Sequence, residues 1–195
     1  MEAQAQTPQP TATSDPVEQV LTAGLMTKYP DGNFHAEALL SRAQLATILV
    51  NAFQLDKRSP TAEASPVAVE DVPISHWAYK NIQIVLKTGT MRGYRGNLFY
   101  PNQKITRAEA LAIFAQAYGI FQFPDQMVES ILAKYPDANQ IPDWAQKAMA
   151  TALYEGFVNT QGADNRILPL TFMTRADLAY TLSQYLERQK EAAPL

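Results

Sequence analysis

Apolar residues fall at helical spacing in six stretches of the chain, and the stretches come in pairs. Ala78, Ile82, Val85 and Leu86 follow the i, i+4, i+7, i+8 pattern of a one-sided apolar stripe, and Ala145, Met149, Ala152 and Leu153 repeat it. A shorter version, Val17, Val20 and Leu21, is opened by Asp15-Pro16, an N-cap residue followed by proline at the first helical position. Each of these predicted helices runs into a glycine, Gly24, Gly89 or Gly156, the residue that most readily stops a helix at its C-terminus. The second member of each pair carries Leu45, Ile48, Leu49 and Ala52, then Ala110, Ile113, Phe114 and Ala117, then Leu178, Thr181, Leu182 and Tyr185, with Thr181 the one polar intrusion. Ser41, Thr106 and Thr174 stand as N-caps before them, with Gln44, Glu109 and Asp177 three positions on. The Ser/Gln and Thr/Glu pairs match the reciprocal capping box, and Thr/Asp is a shorter variant. Leu40 with Leu45, Ile105 with Ala110 and Met173 with Leu178 complete hydrophobic staples. The pattern predicts an all-α protein of three helix-loop-helix units.

The units are copies. Leu40-Ser41-Arg42-Ala43-Gln44, Ile105-Thr106-Arg107-Ala108-Glu109 and Met173-Thr174-Arg175-Ala176-Asp177 place their arginines 65 and 68 residues apart. Trp77 and Trp144 are 67 apart, each 12 residues before its glycine, and Tyr29-Pro30-Asp31-Gly32-Asn33-Phe34 aligns with Tyr94-Arg95-Gly96-Asn97-Leu98-Phe99 at a shift of 65. The copies are set at 15–56, 69–120 and 135–188. A Pro-, Ser- and Ala-rich connector runs over 54–68, and a second over 119–142, where Met127 to Leu132 predicts a short helix. Residues 1–14 read as a flexible tail. Within it Ala3-Gln4-Ala5 has the small-x-small form of a signal-peptidase site, but no charged or apolar region precedes it, and accidental composition explains it as well. A two-helix unit of this size is marginal alone, so the copies are expected to share one core.

Composition narrows the function. The 195 residues are 47% hydrophobic, enough for a core, and the net charge of −3 lacks the basic excess of a nucleic-acid binder. No run approaches the roughly 18 apolar residues of a membrane-spanning helix, so no membrane insertion is predicted. With no cysteine there are no disulfides, thiolate metal sites or thiol catalysis. His35 and His76 stand outside any metal-ligand spacing, and neither a phosphate-cradling glycine loop nor a nucleophile elbow is present. Asp71, Asp137 and Asp143 are more economically read as caps and turns at repeat openings than as a glycosidase pair. No catalytic residue, cofactor or metal is predicted, and a wall-active hydrolase is the weakest alternative.

Asp71-Val72-Pro73, His76-Trp77-Ala78, Gly89, Gly93-Tyr94, Phe99-Tyr100-Pro101-Asn102 and Ile105-Thr106-Arg107-Ala108-Glu109, in this order, resemble an S-layer homology (SLH) repeat. The third copy is similar through Ile141-Pro142-Asp143-Trp144 and Thr174-Arg175-Ala176-Asp177. The first keeps the Tyr29–Phe34 and Ser41–Gln44 strings, but Ala12 stands where tryptophan would fall. The resemblance implies one pseudo-threefold helical domain around a central three-helix bundle. It implies a non-catalytic anchor in the cell envelope of an exported protein, in the periplasm or at the wall. The ligand implied is a peptidoglycan-linked cell-wall polysaccharide, often bearing a pyruvate ketal, held in grooves between repeats. The arginine of the Thr-Arg-Ala-Glu motif contributes to those grooves, at Arg107, Arg175 and, after a serine, Arg42. A fused or bound envelope protein is the further partner implied.

Local chemistry leaves roles open. An arginine at the first helical position meets the positive end of the helix dipole, at a cost of roughly 0.3–1 kcal/mol, so something compensates it. One reading is an anion site in which free first-turn N–H groups, the hydroxyl of Ser41, Thr106 or Thr174 and the guanidinium converge on a carboxylate. The other is an ion pair with an acid such as Asp71 or Asp143. Trp77 and Trp144 suit stacking on a sugar face, but core anchoring is favoured for a tryptophan at a helix start. Tyr94 and Tyr29 line a groove or brace the glycine turn, and Lys28, Arg92 and Arg95 could add positive charge. Without its tryptophan, the first copy is expected to have a weak or empty groove. A protein–protein scaffold built on the same fold is the alternative function, marked by an exposed apolar patch in place of an arginine-based groove.

Overall fold

A computed structural model describes residues 15–58 and 65–192; the expected tail over 1–14 lies outside them. Helix α1 (Pro16–Thr22) is capped by Asp15, whose side chain accepts from the Val17 N–H. Its counterparts are α4 (Tyr79–Lys87) and α7 (Gln146–Tyr154). Just past these three helices Gly24, Gly89 and Gly156 adopt φ of 69°, 70° and 79°, the left-handed turn the sequence assigns them. The second helices are α2 (Arg42–Phe53), α5 (Arg107–Tyr118) and α8 (Arg175–Ala192). The connectors hold α3 (Leu55–Arg58), which the pattern does not predict, and α6 (Asp125–Leu132), which it does. Two short 3-10 turns, Ala138–Gln140 and Asp143–Ala145, precede α7. Among the described residues there is no strand, only isolated bridges, and the protein is all-α.

The caps form, with one exchange of roles. Ser41 and Gln44 make the full reciprocal box. Thr174 and Asp177 also do so, at 3.1 and 3.0 Å, because the shorter aspartate still reaches the Thr174 N–H. In the middle copy Thr106 accepts from the Glu109 N–H, but Glu109 turns its Oε1 toward Arg42 and Tyr94 instead.

The copies are interlaced. Helix α1 packs on α8, α4 on α2 and α7 on α5, so each first helix lies against the second helix of another copy. At one end the three staple residues close a ring of backbone hydrogen bonds: Leu40 N–H to Met173 O (2.9 Å), Met173 N–H to Ile105 O (2.9 Å), and Ile105 N–H to Leu40 O (3.3 Å). All three side chains are fully buried. At the other end Phe53, Phe114 and Tyr185, one from each second helix, meet with ring centroids 4.9 to 6.1 Å apart. The second helices are buried almost all round instead of along one stripe, which is why small Ala43, Ala46, Ala108 and Ala115 occupy faces the periodicity assigned to solvent. Thr181, the polar intrusion, is fully buried and donates to Phe157 O at 2.8 Å.

Candidate functional site

The arginines are deeply buried: Arg42 is 2% exposed, Arg107 1% and Arg175 6%. Each reaches from the head of its helix into another copy and clamps two backbone carbonyls. Arg42 Nε donates to Phe99 O (2.8 Å) and Nη2 to Arg92 O (2.7 Å). Arg107 repeats this on Ile167 O (2.8 Å) and Asn159 O (2.6 Å), and Arg175 on Phe34 O (2.8 Å) and Thr27 O (2.6 Å). The residue after each Phe34-type carbonyl, His35, Tyr100 or Leu168, has φ of 52° to 55°. That left-handed step is a strained backbone state for a side-chain-bearing residue.

The ion pairs differ from those the sequence suggests. Arg42 Nη1 meets Glu109 at 2.9 Å and Arg107 Nη1 meets Asp177 at 2.7 Å, so the partner is the third-position acid of the next copy. Asp71 instead accepts from the N–H groups of Phe99 and Tyr100, and Asp137 from those of Ile167 and Leu168, holding the carbonyl-bearing loops. Asp143 accepts from Gln146. Burial pushes the Asp177 carboxyl up, but bonds from Asn159 and Thr174 and the charge of Arg107 outweigh it and hold the group below the ordinary carboxylate range. Arg175 has no ion pair among the described residues. Gln44 stands where the acids stand elsewhere, and the Arg175 guanidinium lies over the rings of Tyr29 (4.8 Å) and Phe34 (4.5 Å). Burial lowers its pKa, partly offset by Tyr29.

The first-turn N–H groups are not free, which removes one element of the anion-site reading. Those of Arg42, Arg107 and Arg175 donate to Gln103, Thr171 and Ala38 carbonyls, and the next residues donate to Pro101, Pro169 and Ala36. The third donor goes to the cap hydroxyl of Ser41, Thr106 or Thr174. These hydroxyls are therefore engaged within the helix heads.

Two grooves open beside the arginines. The first, of about 300 Å³, is walled by the loop from Gly24 to Pro30, by Gln44, Thr47 and Asn51 on α2, by Trp77 and by Arg175. The second, of about 410 Å³, is walled by Gly89 to Tyr94, by Glu109 and Gln116 on α5, by Trp144 and by Arg42. They correspond residue for residue, Tyr29 to Tyr94, Gln44 to Glu109, Asn51 to Gln116 and Arg175 to Arg42. Trp77 and Trp144 are 64% and 66% exposed, so they wall the grooves and are not the core anchors favoured from sequence. A tryptophan at the turn entering α4 or α7 is held out of the core because the adjacent Ala78 or Ala145, fully buried, fills the inward position. His76 Nδ1 accepts from the Ala78 N–H, and its ring stacks on Trp77. Tyr94 both lines its groove and packs on Arg42 at 4.7 Å; burial, together with Glu109, raises its pKa against the charge of Arg42. Lys28 and Arg92 line the grooves, and Arg95 does not.

Each groove takes its tryptophan from the following copy. The absence of a tryptophan in copy 1 therefore does not strip the first groove, whose wall is Trp77. The polar helix face Gln44, Thr47 and Asn51 follows the i, i+3, i+7 spacing, a signal the sequence offers, and its counterpart keeps Glu109 and Gln116 polar with Ala112 between them.

Comparison with known proteins bears on this arrangement. The S-layer homology domain model matches residues 9–46, 70–111 and 134–179, together more than half of the chain. The chain belongs to the S-layer homology domain family. It is 29% identical over 173 residues to the surface-layer 125 kDa protein of Lysinibacillus sphaericus, a match covering 88% of this chain and 14% of that protein. It is 27% identical over 165 residues to cell surface glycoprotein 1 of Acetivibrio thermocellus (82% of this chain, 7% of that protein). The cellulosome-anchoring protein of the same organism is 31% identical over 98 residues (50% and 22%). The matches thus cover less than a quarter of the length of each of these relatives. No helix among the described residues is long and apolar enough to cross a membrane.

Proposed function

We propose that this chain is a non-catalytic anchoring module of the cell envelope. In this reading its three copies, 15–56, 69–120 and 135–188, act as one composite pseudo-threefold domain. An anionic, pyruvate-ketal-bearing polysaccharide linked to peptidoglycan lies in the grooves between copies. The observation that carries the proposal is the pair of matched grooves, each joining an exposed tryptophan face, a tyrosine edge and a buried guanidinium. An indole face suits the apolar side of a sugar ring, and a guanidinium suits a ketal carboxylate. The names of the relatives, a surface-layer protein, a cell surface glycoprotein and a cellulosome-anchoring protein, support the envelope assignment. Modest affinity per groove would be multiplied by avidity along a repeating polymer.

The test is co-sedimentation of the purified chain with sacculi, before and after mild acid removal of ketal groups. Retention that disappears with the ketals supports the proposal, and retention that is indifferent to them refutes the carboxylate account. The scaffold alternative draws on Leu39, Leu170 and Phe172, exposed by 38%, 57% and 50% near the helix heads. It would be favoured by stable capture of an envelope protein without polysaccharide.

A further inference from the structure

The three arginines make the same two carbonyl bonds but differ at the third edge of the guanidinium. For Arg107 that edge meets Asp177, both side chains being at least nine-tenths buried. For Arg42 it meets Glu109, whose side chain is 22% exposed at the groove wall. For Arg175 the corresponding position is Gln44, a neutral amide whose Nε2 lies 3.4 Å from Tyr29 Oη. The remaining charges follow the same order. The first groove is lined by Lys28 and Arg175 with no acid, and the second by Arg42 and Arg92 together with Glu109, which pairs with Arg42. Asp31, the acid nearest in sequence, is engaged by the Asn33 N–H and by His35.

A buried cation without a counter-charge is costly, and an incoming anion recovers part of that cost. The same anion entering the second groove must displace Glu109 from Arg42 or share the guanidinium with it, and Glu109 repels it at short range. We infer that the groove walled by Trp77 and Arg175 is the carboxylate-binding groove of this chain, and that Gln44 is the residue that sets this preference by leaving Arg175 unneutralised. This rests on the proposed function and specifies which of its grooves takes the charged group.

The design makes Gln44→Glu a clean test. It installs beside Arg175 the acid that already stands beside Arg42, so the fold is expected to keep its melting temperature or gain slightly. Glu109→Gln is the reverse exchange, and copy 1 shows that glutamine is tolerated at this position. The probe is a methyl hexoside carrying a 4,6-pyruvate ketal, with its methyl ester as the uncharged control, titrated calorimetrically into the full chain. The wild type is expected to bind about one equivalent of the acid, and the ester at least tenfold more weakly. Gln44→Glu should lose at least tenfold in affinity, Glu109→Gln should gain a second equivalent, and the double exchange should bind one equivalent in the other groove. Sacculus retention of the wild type alongside unchanged binding by Gln44→Glu would overturn the groove assignment alone. Failure of the wild type to bind either sacculi or the probe would overturn the anchoring reading itself.

Discussion

Substituting Arg107 by alanine tests whether the motif arginine holds the copies together. The change removes bonds to Ile167 O, Asn159 O and Asp177 that join α5 of the middle copy to the last copy. Each carbonyl left dry and unpaired costs about 1–3 kcal/mol, although water entering the vacated space offsets part of this. Asp177 would keep its bonds from Asn159 and Thr174 while losing its one ion-pair partner among the described residues, in a site 8% exposed. Removing one member of a buried pair typically costs about 3–5 kcal/mol, and that range is expected here. For a chain of this size each kcal/mol lowers the melting temperature by about 2–4 °C, so the fall should be near 10 °C or more.

The other two copies carry the same clamp with different third partners. Arg175→Ala strands no carboxylate and should cost less, about 2–3 kcal/mol from two carbonyls and lost packing. Arg42→Ala should fall between, because Glu109 can turn to water. Urea unfolding followed by far-UV circular dichroism gives all three. A cost for Arg107→Ala below about 1 kcal/mol, the value of an ordinary exposed ion pair, would refute the clamp. So would a cost for Arg175→Ala equal to or above that of Arg107→Ala. Adding Asp177→Asn to Arg107→Ala should recover part of the loss, since the stranded charge is then gone.

Asp177 titrates below the unfolded carboxylate value of about 3.9, so its contribution is present above that pH and lost as pH falls through its lower folded value. Urea midpoints at about pH 5 and about pH 3 should therefore fall less for Asp177→Asn than for the wild type. Trp77→Ala and Trp144→Ala should shift stability by no more than about 0.5 kcal/mol, as for other exposed side chains, but Trp77→Ala should weaken sacculus retention more than Trp144→Ala, whose groove holds Glu109; a large fall in melting temperature would instead assign them to packing. Gly89→Ala meets no atom within 4 Å but must hold φ near +70°, so calorimetry should show a loss of about 1–2 kcal/mol from backbone strain alone.

The helices were legible because their causes are local. Periodic apolar positions, Ser/Thr caps and the glycines at 24, 89 and 156 lie within a few residues of the boundaries they set. Helix α3 escaped because its four residues sit in a connector whose Pro, Ser and Ala content signals a loop. The arginine partners escaped for a different reason: Arg42 and Glu109 are 67 residues apart, and Arg175 reaches a carbonyl 148 residues away. Local spacing pointed to Asp71 and Asp143, the nearest acids at repeat openings, whereas interlacing brings in the third-position acid of another copy. The tryptophan faces are not legible because amphipathic logic gives a large apolar residue to the core. It has no term for Ala78 and Ala145 having already filled that place.

Interlacing also changes which copy bears the cost of divergence. In the two grooves seen, the arginine comes from the preceding copy, the tyrosine and helix face from the copy itself and the tryptophan from the following one. Continued around the closed ring of Leu40, Ile105 and Met173, this rule gives the third site Arg107 from copy 2 and Asn159 and Asp177 from copy 3. The arginine of that site is already sealed to Asp177 and Asn159 at 1% exposure. Closure of the ion pair therefore falls on a site shared between copies 2 and 3. The most enclosed ion pair thus lies in copy 3, while copy 1 supplies the loop and helix face of the groove in which Lys28 and Arg175 stand with no acid.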